Sequence, residues 1–403
     1  LMKKIGRNDP CYCNSGLKYK KCHLRIDTIK DKIQQNGVIS FTEEESRILG
    51  NINREYIQKF FKKQKCIYPN CDKKPISSHT FSRSLLEHSL GEEIEGENPG
   101  KYVYHSDIQR IFSSFPNKDQ RDFLYKTLIK NAGTLPLFCS EHDDKLFSSI
   151  ENRGQKLSVS EYIFMLSYRF FMYDILKDNF IAFTRDNEII GENHSIHKKF
   201  EKRFIELYNE FQKNTSQLVQ SVYNRQKHLL MKESFEQIIV SNNLNKETIN
   251  EKFEIKIYNL KKDVRWAGVG FTEFVSNGDD IYNHYPSGFG VIPSFNGYDA
   301  CFFIISLKEE AQYLESNLYK IFDGLYLKYV NNNDIEFLAS LMMMVFDSSE
   351  NIMLSPSKFS ELKEAGQYEK LEHINSLLTR NKSLRSTQVR REVFGLCQEV
   401  DLF

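Results

Sequence analysis

The chain has 403 residues, more than one hydrophobic core usually serves, so two or more domains are expected. Hydrophobic residues make up 40% and charged residues 27%, which excludes a disordered chain. Lys and Arg outnumber Asp and Glu by only 55 to 54, which excludes any argument for nucleic acid or membrane from net charge; such an argument has to be local.

The longest apolar runs, "LASLMMMVF" and "ACFFIISL", fall far short of the roughly 20 residues that cross a bilayer, so the reading is a cytoplasmic chain without a membrane partner. In a reducing compartment clustered cysteines are metal ligands more often than disulfides.

The chain opens on such a cluster, "GRNDPCYCNSGLKYKKCH", in which Cys11, Cys13, Cys22 and His23 have the spacing C-x-C-x8-C-H. Asn14, Ser15 and Gly16 favour a tight turn that folds one pair back on the other. Zinc takes four such ligands in a tetrahedron, and four filled positions make the site structural. For so short a segment, metal binding supplies the folding energy that burial cannot. This stretch resembles the SEC-C motif, the small zinc module named for its place at the C-terminus of the bacterial preprotein translocase motor. The resemblance covers about residues 5 to 24, with Tyr12 and Asn14 standing where the family usually has Pro and Gly, and it implies a docking element rather than a reaction. Residues 1 to 32 carry nine Lys or Arg against three Asp, a net of +6 that suits a phosphate backbone or an acidic protein surface.

"ISFTEEESRILGNINREYIQKFFKKQ" follows, where "TEEE" predicts a helix N-terminus with acidic residues in its first turn. Then Cys66 and Cys71 form a C-x4-C knuckle around a Pro-Asn turn, and a matching half stands far downstream as Cys139-x2-His142. The two pairs together complete a second tetrahedral zinc site, if the 67 residues between them fold so that the halves meet. "GEEIEGENPGKY" reads as an exposed loop, and "SDIQRIFSSFPNKDQRDFLYKTLIKNAG" as two helices parted at Phe115-Pro116, with Gly133 as the stop.

A cysteine pair, then "SHTFSRSLL", then Cys-x2-His opening a helix, is similar to zinc-stabilised HNH (His-Me finger) endonucleases. The resemblance implies that His79 is the general base, that Asp143 or Asp144 is the nearest metal ligand, and that the ion of catalysis is Mg2+. Ser78 occupies the position where active members usually carry His, Asp or Glu. The competing reading of His79 is a zinc ligand or a helix-capping residue. The same fragments also resemble uncharacterised bacterial proteins, some of them among phage-defence genes.

From Ser158 to Phe183 the aromatic residues run all round the helix, which predicts a buried core helix. Phe200, Phe204, Leu207, Phe211, Leu218 and Val222 fit a heptad seam, which serves either an intramolecular helical pair or a homodimer through residues 200–230. "FEIKIYNL", "RWAGVGFTEFV", "GFGVIPSF" and "DACFFIISL" read as strands, followed by helices such as "EEAQYLESNLYKIFDGLYLKYV" and "NDIEFLASLMMMVF". Asp279, Asp280 and His284 form a polar group on a loop, and Cys301 and Cys397 read as buried thiols.

The expected fold is therefore α+β and multidomain: a SEC-C zinc knot at 1–30, a zinc-stabilised HNH-like segment with a helical insertion at 31–155, a helical middle at 156–245 and a mixed strand-helix domain at 246–403. The expected function is that of a nucleic-acid-associated zinc protein, with a divergent HNH-like nuclease in phage defence as one outcome. The other is a non-catalytic zinc scaffold that binds a protein partner or a small ligand.

Overall fold

The structure, a computed structural model, describes residues 6–9, 18–21, 43–106, 123–151, 157–186, 205, 209, 222–241, 244–275, 284–295, 297–349, 351–380 and 387–403. Cys11, Cys13, Cys22, His23, Asp279, Asp280 and most of the expected 200–230 seam lie outside them. The chain forms two compact units, one of Leu1–Gln64, Gln109–Gln120 and Ile175–Leu230, the other of Lys65–Ile108, Arg121–Asp174 and Met231–Phe403.

In the first unit the expected helix forms as α1, Glu43–Lys63. Its rings Tyr56 and Phe60 bury against Phe180 and Phe183, with centroids 5.1 Å apart for Phe60–Phe180 and for Tyr56–Phe183.

The second unit begins with β1 (Ser77–His79), a short helix α2 (Arg83–Leu85) that continues as one π-turn to Leu90, β2 (Glu92–Glu93), β3 (Lys101–Ser106), β4 (Leu124–Leu128) and β5 (Thr134–Pro136). Helices α3 (Ser140–Glu151), α4 (Val159–Asp186), α5 (Val222–Val240) and α6 (Lys246–Lys252) follow, α4 and α5 each having residues in both units. Strands β6 (Phe253–Asn259), β7 (Trp266–Val275), β8 (His284–Ile292) and β9 (Cys301–Leu307) come next. The chain then forms α7 (Lys308–Leu314), α8 (Lys320–Asn332), α9 (Glu336–Ser348), β10 (Asn351–Leu354), α10 (Pro356–Glu364), α11 (Tyr368–Arg380) and α12 (Thr387–Glu399).

Eight of these strands make one antiparallel sheet in the order β2-β3-β10-β7-β8-β9-β6, with β4 on β3, while β1 and β5 pair separately. On one face Trp266, Phe289, Phe302 and Ile304 pack with Phe322, Phe337, Leu341 and Val345 from α8 and α9. On the other, Phe164 and Phe235 meet Phe253, and Phe171 meets Phe271, at 4.5–5.4 Å between centroids. Helices on both faces explain why β9 is apolar but for Ser306, every residue of it buried. The mixed α+β class is as expected, and α4 is the buried aromatic helix that its composition predicts. No described helix is long and apolar enough to cross a membrane.

The expected second helix of the 106–133 stretch is not there. Leu124–Leu128 is instead β4, bonded along its length to β3, and residues 107–122 lie outside the described set. A run as short as "FLYKTL" satisfies a helical and an alternating pattern alike, and pairing with β3 decides between them. Gly133 is not a helix stop but the left-handed turn (φ 57°) into β5. That turn is tight: a Cβ there would lie 2.6 Å from Met353 Cε and 2.8 Å from Thr80 Oγ1. Gly133→Ala should therefore cost about 1–3 kcal/mol of stability, read as a lower urea midpoint with an unchanged slope.

Candidate metal centre

Residues 65–76 form the knuckle that the Cys66-x4-Cys71 spacing implies. Asn70 adopts the left-handed conformation (φ 56°), the Cys71 amide donates to the Tyr68 carbonyl at 3.3 Å, and the Cys66 amide donates to Lys73 at 2.8 Å. This closed turn brings both sulfurs to one side. The downstream half arrives by backbone pairing: Ile67 N donates to Leu137 O at 2.9 Å, Ile76 N to Phe138 O at 2.7 Å, and β1 pairs with β5 from Ser77↔Pro136 to His79↔Thr134. Cys139 then stands immediately before α3 and His142 in its first turn, where Asp143 N closes the first helical bond to Cys139 O at 2.8 Å.

The outcome is a convergence of Cys66, Cys71, Cys139 and His142, all four ligand atoms lying within 4.8 Å of one another. His142 Nδ1 is 3.3 Å from Cys139 Sγ and 3.5 Å from Cys66 Sγ, and Cys71 Sγ is 3.9 Å from Cys139 Sγ. A tetrahedral zinc with bonds near 2.3 Å to sulfur and 2.0 Å to nitrogen requires edges of about 3.8 Å for S···S and about 3.6 Å for S···N. The residues fit that ion in number, donor type and spacing. The Tyr68 ring stacks on His142 at 4.0 Å and 24°, which holds the imidazole with Nδ1 toward the sulfurs. Lys73 and Glu141 form an ion pair that joins the knuckle to the first turn of α3.

Burial pushes the Cys66 thiol up to about 11. Burial acts on Cys139 in the same direction, but the amides of His142 and Glu141 and the neighbouring thiols outweigh it and hold that thiol below its ordinary value. The arrangement therefore disfavours the thiolate at Cys66 while favouring it at Cys139, and a bound divalent cation would hold its sulfur ligands as thiolates.

Around the first cluster, Tyr19 N donates to Asp9 O at 2.8 Å and Lys20 N to Arg7 O at 2.9 Å. These bonds lay residues 7–9 beside 18–21, the flanks of the Cys11–Cys22 segment.

His79 lies at the end of β1, and its Nε2 is 3.0 Å from the carbonyl of Ile129. A carbonyl only accepts, so Nε2 carries the hydrogen and Nδ1 the lone pair. Burial lowers the imidazole below its ordinary value, against the opposing effect of that bond. Neighbouring Ser78 is buried, its hydroxyl oxygen accepting from the Phe138 amide at 3.3 Å. Of the two carboxylates expected near a second metal, Asp144 is exposed and Asp143 faces Arg169, whose Nη2 lies 3.3 Å away.

Arg169 is the functional-looking group that sequence reasoning missed. It is 2% exposed, donates from Nη1 to Glu151 Oε1 at 2.6 Å, and lies 4.5 Å from the centroid of the Phe147 ring. Glu151 in turn accepts from Ser82 Oγ and from the amides of Arg83 and Ser84 at 3.0–3.2 Å, capping α2. The only signal was one arginine inside "LSYRFFMY", an otherwise apolar helix.

Burial raises the Glu151 carboxyl, but Arg169 and the two amides more than offset this and hold it below its ordinary 4.5. The stability it contributes is thus complete above about pH 4.5 and is lost as pH falls through the lower folded value. Arg169→Met should destabilise the chain by about 3 kcal/mol at neutral pH, since it leaves partly buried carboxylates unpaired. It should also flatten the acid limb of a stability-against-pH curve measured by chemical denaturation.

The comparison with known proteins bears on the N-terminal cluster. The SEC-C motif profile matches residues 7–25. The protein translocase subunit SecA of Koribacter versatilis (strain Ellin345) is 85% identical over 20 residues, 5% of this chain and 2% of that protein. The same subunit of Ruthia magnifica subsp. Calyptogena magnifica is 81% identical over 21 residues, again 5% and 2%. The chain thus spans about a fiftieth of the length of these curated relatives. No solved structure matches it. The HNH-like expectation for residues 31–155 draws no support from these matches. What they establish is a SEC-C motif, a zinc-binding motif, at residues 7–25.

Proposed function

We propose that this chain is a zinc-scaffolded docking protein. In this reading Cys66, Cys71, Cys139 and His142 hold a structural zinc that fixes β1, β5 and α3, while Cys11, Cys13, Cys22 and His23 hold a second zinc in the SEC-C motif. The observation that carries it is the convergence of the four ligand atoms within 4.8 Å, from segments 68 residues apart. When bound, the ion supplies cross-linking and charge neutralisation of the thiolates; a coordination shell filled by protein leaves no position for substrate. The net +6 of residues 1 to 32 supports an anionic partner, and we take it to be the phosphate backbone of a nucleic acid.

Elemental analysis of the purified full chain tests the scaffold. Two zinc per chain are expected, falling to one in Cys139→Ser; an unchanged zinc content in the variant would sink the second centre.

A second reading, an HNH-like nuclease, is favoured by the fixed tautomer of His79, whose Nδ1 lone pair is that of a general base. Against it stands Arg169, which occupies Asp143 and Glu151 where a Mg2+ ion would need them. One assay separates the readings: labelled duplex DNA with Mg2+ at low and raised salt. Docking alone predicts retention that weakens steeply with salt and no cleavage. Cleavage lost in His79→Ala with both zinc ions retained would instead establish the nuclease.

A further inference from the structure

We infer that the centre of Cys66, Cys71, Cys139 and His142 is a redox switch, in which a peroxide joins Cys71 to Cys139 and expels the ion. The inference rests on the zinc-scaffold reading above. Its first ground is the unequal exposure of the sulfurs: Cys66 and Cys139 are 5% and 3% exposed, while Cys71 is only partly buried, beside the exposed Asn70 at the end of a surface turn. A small oxidant in solvent therefore meets Cys71 first.

The second ground is the partner. Cys71 Sγ is 3.9 Å from Cys139 Sγ, and a disulfide requires about 2.0 Å, so the two must close by about 2 Å. Cys139 is anchored by the start of α3, whereas Cys71 sits on a surface turn whose nearest closing bond, to Tyr68 O, is a long 3.3 Å, the Cys66 N to Lys73 O bond at 2.8 Å closing the knuckle beyond it. The turn is the side that moves.

The chemistry balances without any further reactant. The Cys71 thiolate attacks one peroxide oxygen, the O–O bond breaks, and Cys71 sulfenic acid and hydroxide form. The Cys139 thiolate then attacks the Cys71 sulfur, the S–S bond forms, the S–O bond breaks, and a second hydroxide leaves. Two thiolates lose two electrons to one peroxide. Cys66 and His142 remain as ligands, too few to hold a tetrahedral ion.

The third ground is what the product preserves. The new bond joins the same two segments that the ion joined, so β1, β5 and α3 stay together while His142 is released. The switch alters the surface around Tyr68 and His142 rather than unfolding the unit.

The experiment uses the zinc-loaded full chain. It is pulsed with N-ethylmaleimide before oxidation, then a parallel sample is titrated with hydrogen peroxide while released zinc is followed with a chromogenic chelator. Disulfides are mapped by peptide mass spectrometry, which separates this centre from the SEC-C cysteines. The expected result is that the buried Cys66 and Cys139 resist the first pulse, and that a Cys71–Cys139 peptide then forms in step with loss of one zinc. Far-UV circular dichroism should be unchanged, and dithiothreitol with added zinc should restore the starting state. A Cys66–Cys71 or Cys66–Cys139 product, or sulfinic acid at Cys71 without a cross-link, would overturn the switch and leave the scaffold standing. Alkylation of the buried Cys66 or Cys139 in the first pulse, or a zinc content unchanged in Cys139→Ser, would sink the scaffold, and the switch with it.

Discussion

Closing Cys71 onto Cys139 is the constraint on which the rest of the metal centre depends. Bringing together the ends of a loop of 68 residues costs about 4 kcal/mol in chain entropy, and the three-residue pair β1–β5 is too short to offset that alone. Two further sources are at hand. The loop itself contains β2, β3 and β4, which are buried into the large sheet, so much of its ordering is balanced by burial elsewhere. A bound zinc adds about 10 kcal/mol or more, enough to make the closure one-sided. The sheet and the ion thus stabilise the same crossing point from opposite ends of the loop.

The two ends are also bonded to each other. Asn351 on β10 donates from its side chain to Thr80 Oγ1 at 2.6 Å, and Thr80 donates to Gly133 O at 2.9 Å, with all three next to β1 or β5. Helix α3 is held twice over, by His142 in the candidate centre and by Asp143 and Glu151 on Arg169. A centre of three thiolates and a divalent cation carries a net charge of −1. Lys73, whose ammonium is favoured first by Glu141 and then by Cys139 and Cys71, stands at the edge of the centre with the sign that suits it. Charge and geometry therefore both suit a divalent cation there.

The ligands were legible in the sequence because coordination chemistry fixes their types and short spacings: Cys66-x4-Cys71 with Pro69-Asn70 between, and Cys139-x2-His142 at a helix start. Their meeting was not legible, because it is decided by the β1–β5 register and by bonds such as Ile76 N to Phe138 O. The strands β6 to β9 were readable from alternation and glycine punctuation, and α4 from its aromatic girth. Among the strands that escaped, β4 and β10 are short, and pairing with β3 and β7 rather than local preference makes them strands. Arg169 escaped because nothing local distinguishes an arginine with a buried carboxylate pair from one that extends to solvent.

These features together determine where activity must be sought. A catalytic metal needs an open position, and the Cys3His shell has none. A second cation beside His79 needs free carboxylates, and the buried guanidinium of Arg169 already neutralises Asp143 and Glu151. His79 retains a lone pair on Nδ1 suited to catalysis, yet burial lowers its proton affinity. A base without an electrophile to stabilise the leaving oxygen contributes little to phosphodiester cleavage, where charge stabilisation dominates the barrier. On the proposed docking reading, the interior of this unit serves to hold shape. On that same reading, recognition would fall to the basic segment around the SEC-C motif and the half-exposed turn from Tyr68 to Cys71.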